Sequence, residues 1–178
     1  AAVFMPTGYA ELLFGVWKGF RELQQLGVIS ATPRMIACEP AARAPLSRAL
    51  AEGRFAVEVE AGHTDASGIA VRVSGYRGVL AVQESGGRAL RIPDTDLVEA
   101  QAAMARIGLW TELSGAAGLA GLRQMAVGGE RFDGPVVSIV TSSGFKDVGV
   151  GSQAVPTVAP EWSAVADVLH AQYGIATG

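Results

Sequence analysis

The opening stretch AAVFMPTGYAELLFGVWKGF, residues 1–20, runs from an apolar segment through a turn into a helical pattern. Residues 2–6 are short, apolar and bounded by Pro6, which reads as a buried strand. From Ala10 to Gly27, Leu12, Leu13, Val16, Phe20, Leu23 and Leu26 recur at helical spacing, and Gly27 is a natural stop. Between strand and helix, Gly8 permits close backbone approach. The helix start offers unpaired N–H groups and a positive dipole end, a combination that suits an anion. One glycine is also compatible with a plain turn. Glu11 and Leu12 stand where a phosphate-cradling loop usually has glycines, although a Glu in a first helical turn is also a good dipole partner.

The same alternation continues outward. RMIACEP (34–40) reads as a second buried strand, AARAPLSRALAEG (41–53) as a helix, and RALRI (88–92) as a third strand. Residues 55–87 carry glycines every few positions, and short helices are expected near 64–71 and 75–85. PDTDLVEAQAAMARIG (93–108) has Pro and Asp at its start, Leu97, Ala100, Met104 and Ile107 on one face, and a closing glycine. LWTELSGAAGLAGLRQMAVGG (109–129) reads as an extended piece leading through Ser114 into a small-residue helix able to pack tightly on a sheet. GPVVSIVTSSGFKD (134–147) reads as a buried strand entering a Ser/Gly loop, and APEWSAVADVLHAQYG (159–174) as a terminal amphipathic helix. Strand and helix alternating in this way predict an α/β fold, a doubly wound, mostly parallel sheet flanked by helices. No repeat or linker divides the chain, so one domain over 1–178 is expected.

Composition agrees. At 178 residues, 49% hydrophobic and 17% charged, the chain has enough apolar matter for a sheet covered on both faces. A net charge of −3 supplies no electrostatic footprint for nucleic acid or an anionic membrane. No apolar run approaches the ~20 residues of a membrane span, and nothing reads as a signal peptide. The single cysteine, Cys38, lies in the apolar run MIAC and reads as a buried, inert thiol in a reducing, cytoplasmic setting.

Chemistry is expected at the carboxyl ends of the strands, where open α/β sheets gather ligands. PTGYAEL and VTSSGFKD are the two loops placed there, the second presenting the hydroxyls of Thr141, Ser142 and Ser143. Such a row of hydroxyls suits a ring nitrogen or an ordinary polar loop equally. Glu112, between Trp110 and the small-residue helix, is a partly enclosed acid at a strand end. Asp94, Asp96 and Glu99 read as capping or exposed-face carboxylates. His63 and His170 have no partners at ligand spacing, so no metal site is expected. Walker, G-x-S-x-G and H-E-x-x-H patterns are absent.

Three segments in order carry a resemblance. PTGYAELLFGVWKGFRELQQLGVISATPRMIACEP (6–40) resembles the phosphate-cradling turn, W-K-G-F helix and P-R-M strand of threonine synthase and the threonine dehydratases, the fold type II family of pyridoxal phosphate enzymes. GYRGVLAVQESGGRALRIPDTDLVEAQAAMARIGLWTELSGAAGLAGL (75–122) is similar to that family's E-S-G-G turn, its D-x-x-(I/L)-x-E-A helix and its E-x-S-x-A-A-x-L-A-G-L element. VVSIVTSSGFKD (136–147) is similar to its T-G/S-x-G-L-K-D strand and loop.

The resemblance implies a fold like the incomplete large domain of that family, and pyridoxal 5'-phosphate as cofactor. Gly8, Tyr9, Ala10, Glu11 and Leu12 would receive its phosphate on backbone amides, Thr141 would face the pyridine nitrogen, and Glu112 would stand near the ring. It also implies a Schiff-base lysine. Lys18 and Lys146, the only lysines, match family lysines of other roles. The segment bearing that lysine, with the small domain, is then expected from an N-terminal companion chain or segment. On this reading the chain is a cofactor-cradling subunit or fragment, inactive alone and without catalytic residues of its own. Joined to that segment, it would form an oligomeric enzyme acting on an amino acid by β/γ-elimination or replacement. A non-catalytic binding or regulatory module derived from the same fold is the alternative. A nucleotide-binding Rossmann half lacks its further glycines and its ribose-binding acid.

Overall fold

A computed structural model describes residues 1–147 and 156–176. The chain divides into two compact units, Ala1–Asp147 and Val148–Gly178. In the first, the strands are β1 (Ala2–Pro6), β2 (Arg34–Pro40), β3 (Arg88–Ile92) and β4 (Val136–Ser138). The helices are α1 (Glu11–Gln25), α2 (Pro45–Ala51), α3 (Tyr76–Glu84), α4 (Asp94–Arg106) and α5 (Ala117–Val127). The second unit contains α6 (Trp162–Tyr173), which ends at Gly174 in the left-handed region.

All strands are parallel, in the order β3-β2-β1-β4. Parallel neighbours need crossovers, and the crossover helices cover both faces. Period-2 alternation along the central strands sorts the core. Val3, Met5, Met35 and Ala37 join Leu13, Leu46, Val79 and Val82 of α1, α2 and α3 on one face. Phe4, Ile36 and Cys38 join Leu97, Met104, Ala117 and Ala120 of α4 and α5 on the other. This is the expected doubly wound arrangement.

Small residues let α5 lie close against the sheet, as the sequence predicts. A Cβ on Gly118 would come within 2.4 Å of Ser138 Oγ, and one on Gly121 within 2.5 Å of Cys38 Sγ. Cys38 itself is fully buried, and that burial pushes its thiol pKa up to about 12, which leaves it unreactive.

Local details depart from expectation. β4 is an edge strand of three residues with Val137 half exposed, where a buried strand is predicted. It pairs with β1 alone among the described residues, and the ladder ends where Ile139 N donates to Phe4 O at 3.0 Å. Residues 64–71 form a single 3-10 turn, Ser67–Ile69, after an extended piece whose Glu58 bridges Val73 antiparallel. α2 is shorter than the predicted 41–53. The buried Glu39 at the end of β2 starts it late, accepting hydrogen bonds from Leu46 N at 2.8 Å, Ser47 N at 2.7 Å and Ser47 Oγ at 2.7 Å. Burial holds the Glu39 carboxyl above the ordinary range, with the Ser47 and Leu46 donors offsetting part of that rise.

Candidate functional site

At the carboxyl end of β1 the chain is pinned before it turns. Thr7 N donates to Cys38 O at 2.9 Å, and its hydroxyl donates back to Met5 O at 2.9 Å. Beyond it, Ala10 occupies the left-handed region at φ 67°, ψ 16°, the one non-glycine residue to do so among those described. That conformation costs an L-residue about 1–2 kcal/mol. The surroundings hold it there: Ala10 is buried, and its methyl fills space left by Gly78 of α3, where a Cβ would approach it to 2.6 Å. Gly8 lies close to the irregular middle of the chain: a Cβ there would be 3.3 Å from Val71 Cγ1 and 3.4 Å from Ile69 Cα.

The turn leaves its amides free. Among the described residues, none of the N–H groups of Gly8 through Leu13 donates to another backbone group. A helix start always leaves some such groups, and here the preceding turn extends the row. Dipole and donors together favour an anion in front of them. Glu11 does not oppose this: its carboxylate is held by Arg77 Nη1 of α3 at 3.0 Å.

Facing the turn is a wall built by two loops. Thr111 Oγ1 and Glu112 N both donate to Ser142 O, at 2.8 and 3.0 Å, and Thr111 bridges Ser143 antiparallel. Asp147 Oδ2 accepts from Leu113 N and from Gln101 Nε2 of α4, each at 2.7 Å, which ties the GFKD loop to the Glu112 segment. Gly144 permits this closeness, because a Cβ there would meet Trp110 Cε2 at 2.4 Å. Glu112 is buried, and Lys146 Nζ lies 2.8 Å from its Oε2. A third contribution comes from the irregular middle, where Gly68 N donates to Ser114 Oγ at 3.0 Å.

These walls enclose a cavity of about 360 Å³. Gly8, Tyr9, Ala10, Glu11, Leu12, Glu112 and Thr141, the seven residues singled out in the sequence, all line it. So do Ser142 and Lys146, from the VTSSGFKD loop that the sequence places at this sheet edge, and Gly68, Ile69 and Ser114, for which the sequence carries no such signal. Gly68 and Ile69 are brought in by tertiary packing alone. Lys18 is absent from the lining; it sits on an exposed turn of α1, paired with Glu22.

Other sequence candidates lie elsewhere. Asp94 ties a loop rather than capping α4: its carboxylate accepts from Thr64 Oγ1 and Asp65 N, both at 2.8 Å. His63 is exposed beside Asp65, and no cluster of three metal-ligating side chains occurs among the described residues. No described helix is long and apolar enough to cross a membrane.

Comparisons with known proteins agree with this geometry. The family model described as pyridoxal-phosphate dependent enzyme matches residues 1–142. Threonine synthase of Mycobacterium bovis is 33% identical over 162 residues, covering 88% of this chain and 42% of the relative. That of Methanosarcina acetivorans is 32% identical, covering 82% and 37%. The chain thus spans about two fifths of the length of these relatives. The crystal structure of a fungal L-serine ammonia-lyase from Rhizomucor miehei superposes with a TM-score of 0.70 at 20% identity, over 85% of this chain and 47% of that one, a likeness of fold. With the family model spanning the whole sheet and the turn after β1, the chain belongs to the pyridoxal-phosphate dependent enzyme family.

Proposed function

We propose that this chain is the cofactor-cradling part of a threonine synthase-like enzyme of amino-acid metabolism, a lyase-type catalyst of β/γ-elimination or replacement. The carrying observation is the cavity itself, with a row of free amides at one wall and a buried acid and a hydroxyl at the other. Its residues fit pyridoxal phosphate: the amides of Gly8 to Leu12 suit the phosphate, and the Thr141 hydroxyl suits a neutral ring nitrogen. Glu112 is close enough to the same space to influence the ring. When bound, the cofactor supplies an electron sink for charge at the substrate's α-carbon. The chain's own residues would orient it: the backbone amides would hold the phosphate, and the Thr141 hydroxyl would donate a hydrogen bond to the ring nitrogen.

Neither lysine of the chain is disposed to anchor the cofactor covalently. Lys146 is engaged by Glu112, and Lys18 lies outside the cavity. The anchoring lysine, and the residues that select the amino-acid substrate, are therefore assigned to an N-terminal segment or companion chain, within a homo-oligomer in the cytoplasm. The buried, unreactive Cys38 suits that reducing compartment. The same engaged lysines favour, as second reading, a binding module that takes the cofactor without turnover.

Equilibrium dialysis of the chain with its N-terminal segment against pyridoxal phosphate and against pyridoxal tests the proposal. Retention of the phosphorylated form at least about a hundredfold more tightly is expected from several amide-to-anion hydrogen bonds. Equal retention of the two, or none, contradicts it.

A further inference from the structure

Two carboxylates line the cavity, and each has its own cation. Glu11 is held by Arg77 at 3.0 Å and Glu112 by Lys146 at 2.8 Å. The pairs differ in setting. Glu11 and Arg77 are both well exposed, so water screens them and the pair contributes little. Glu112 keeps only 5% of its side chain exposed, so its charge reaches into the cavity with Lys146 as its immediate counterweight. Glu112 and the start of α1 line the same cavity, so an unbalanced charge on one wall acts on an anion at the other.

From this arrangement we infer that Lys146 is a charge-balancing, positioning residue, which cancels Glu112 so that the cavity accepts a phosphate dianion at the α1 amides. The inference rests on the phosphate-cradle reading of the cavity and adds to it the residue that sets its electrostatics. The loop is built to deliver the ammonium. Asp147 fixes it to Gln101 and to the Leu113 amide, Gly144 lets it pass close to Trp110, and Ser143 Oγ accepts from Phe145 N at the start of the 3-10 turn Gly144–Lys146. Lys146 itself is 58% exposed, so its replacement leaves the packing intact while changing the charge.

Binding of pyridoxal phosphate, inorganic phosphate and pyridoxal to the full chain, followed by calorimetry, tests this. Lys146→Met is expected to weaken both phosphate-bearing ligands at least about tenfold and to leave pyridoxal within about twofold, as unbalanced charge acts on an anion. Lys146→Arg retains affinity, and Lys146→Met/Glu112→Gln recovers it, because removing both charges restores the balance. Near-UV circular dichroism checks that each variant keeps its tertiary packing. Phosphate binding by Lys146→Met at the wild-type level overturns the inference, as does a double variant as weak as the single one or an equal loss for pyridoxal. Absence of any phosphate binding by the wild-type chain instead overturns the cradle reading, and this inference with it.

Discussion

Ala10 shows how one methyl can set a site. It holds a left-handed conformation with its side chain lodged against Gly78, in the middle of the run of amides that donate to no backbone acceptor. Gly78→Ala drives a second methyl into the same space and should destabilise the chain by about 1–3 kcal/mol. Pairing it with Ala10→Gly removes the clash, and denaturant midpoints should show most of the loss recovered. Glu39 offers a second test. Its folded pKa stands above the ordinary 4.5, so folding takes up a proton between the two values. Stability attributable to Glu39 is present below 4.5 and is lost as pH rises through the raised value. Unfolding midpoints measured against pH should decline across that window in the wild-type chain, and Glu39→Gln should flatten the decline. The sequence marks Ala10 as part of the turn but not its left-handed torsion, and it does not mark Glu39, which acts through a helix it meets only after folding.

Among the elements, those with strong periodicity were legible and those set by pairing were not. α1, α4 and the central strands follow from apolar spacing and their glycine or proline stops. The length of β4 does not, because VVSIV is uniformly strand-like while its hydrogen bonds stop where β1 stops offering partners. α5 is the clearest case of composition anticipating packing, with Gly118 and Gly121 lying where any side chain would strike Ser138 or Cys38. Gly121→Ala should therefore cost about 1–3 kcal/mol by overpacking, read as a fall in thermal midpoint. Gly129→Ala is a poor control because of its positive φ; Gly19→Ala, on α1 with open space around it, should leave the fold undamaged.

For the molecule as a whole, the sheet does what open α/β sheets do and gathers its chemistry at the carboxyl ends of the strands. The turn after β1, the Thr111–Ser114 segment and the loop after β4 are distant in sequence, and the parallel topology brings them to one cavity. The seven sequence candidates were legible through the order of their motifs. Ser142 and Lys146 came with the VTSSGFKD loop, whereas Gly68, Ile69 and Ser114 were not legible, because they reach the cavity through tertiary contacts. What unites the cavity is the free amide row, and the most direct test observes those amides. In a proton–nitrogen correlation spectrum of the chain titrated with pyridoxal phosphate, the amide signals of Gly8 to Leu13 should shift most. Shifts confined to another surface, or an unchanged Gly8–Leu13 set at saturating ligand, would contradict a phosphate seat at the start of α1.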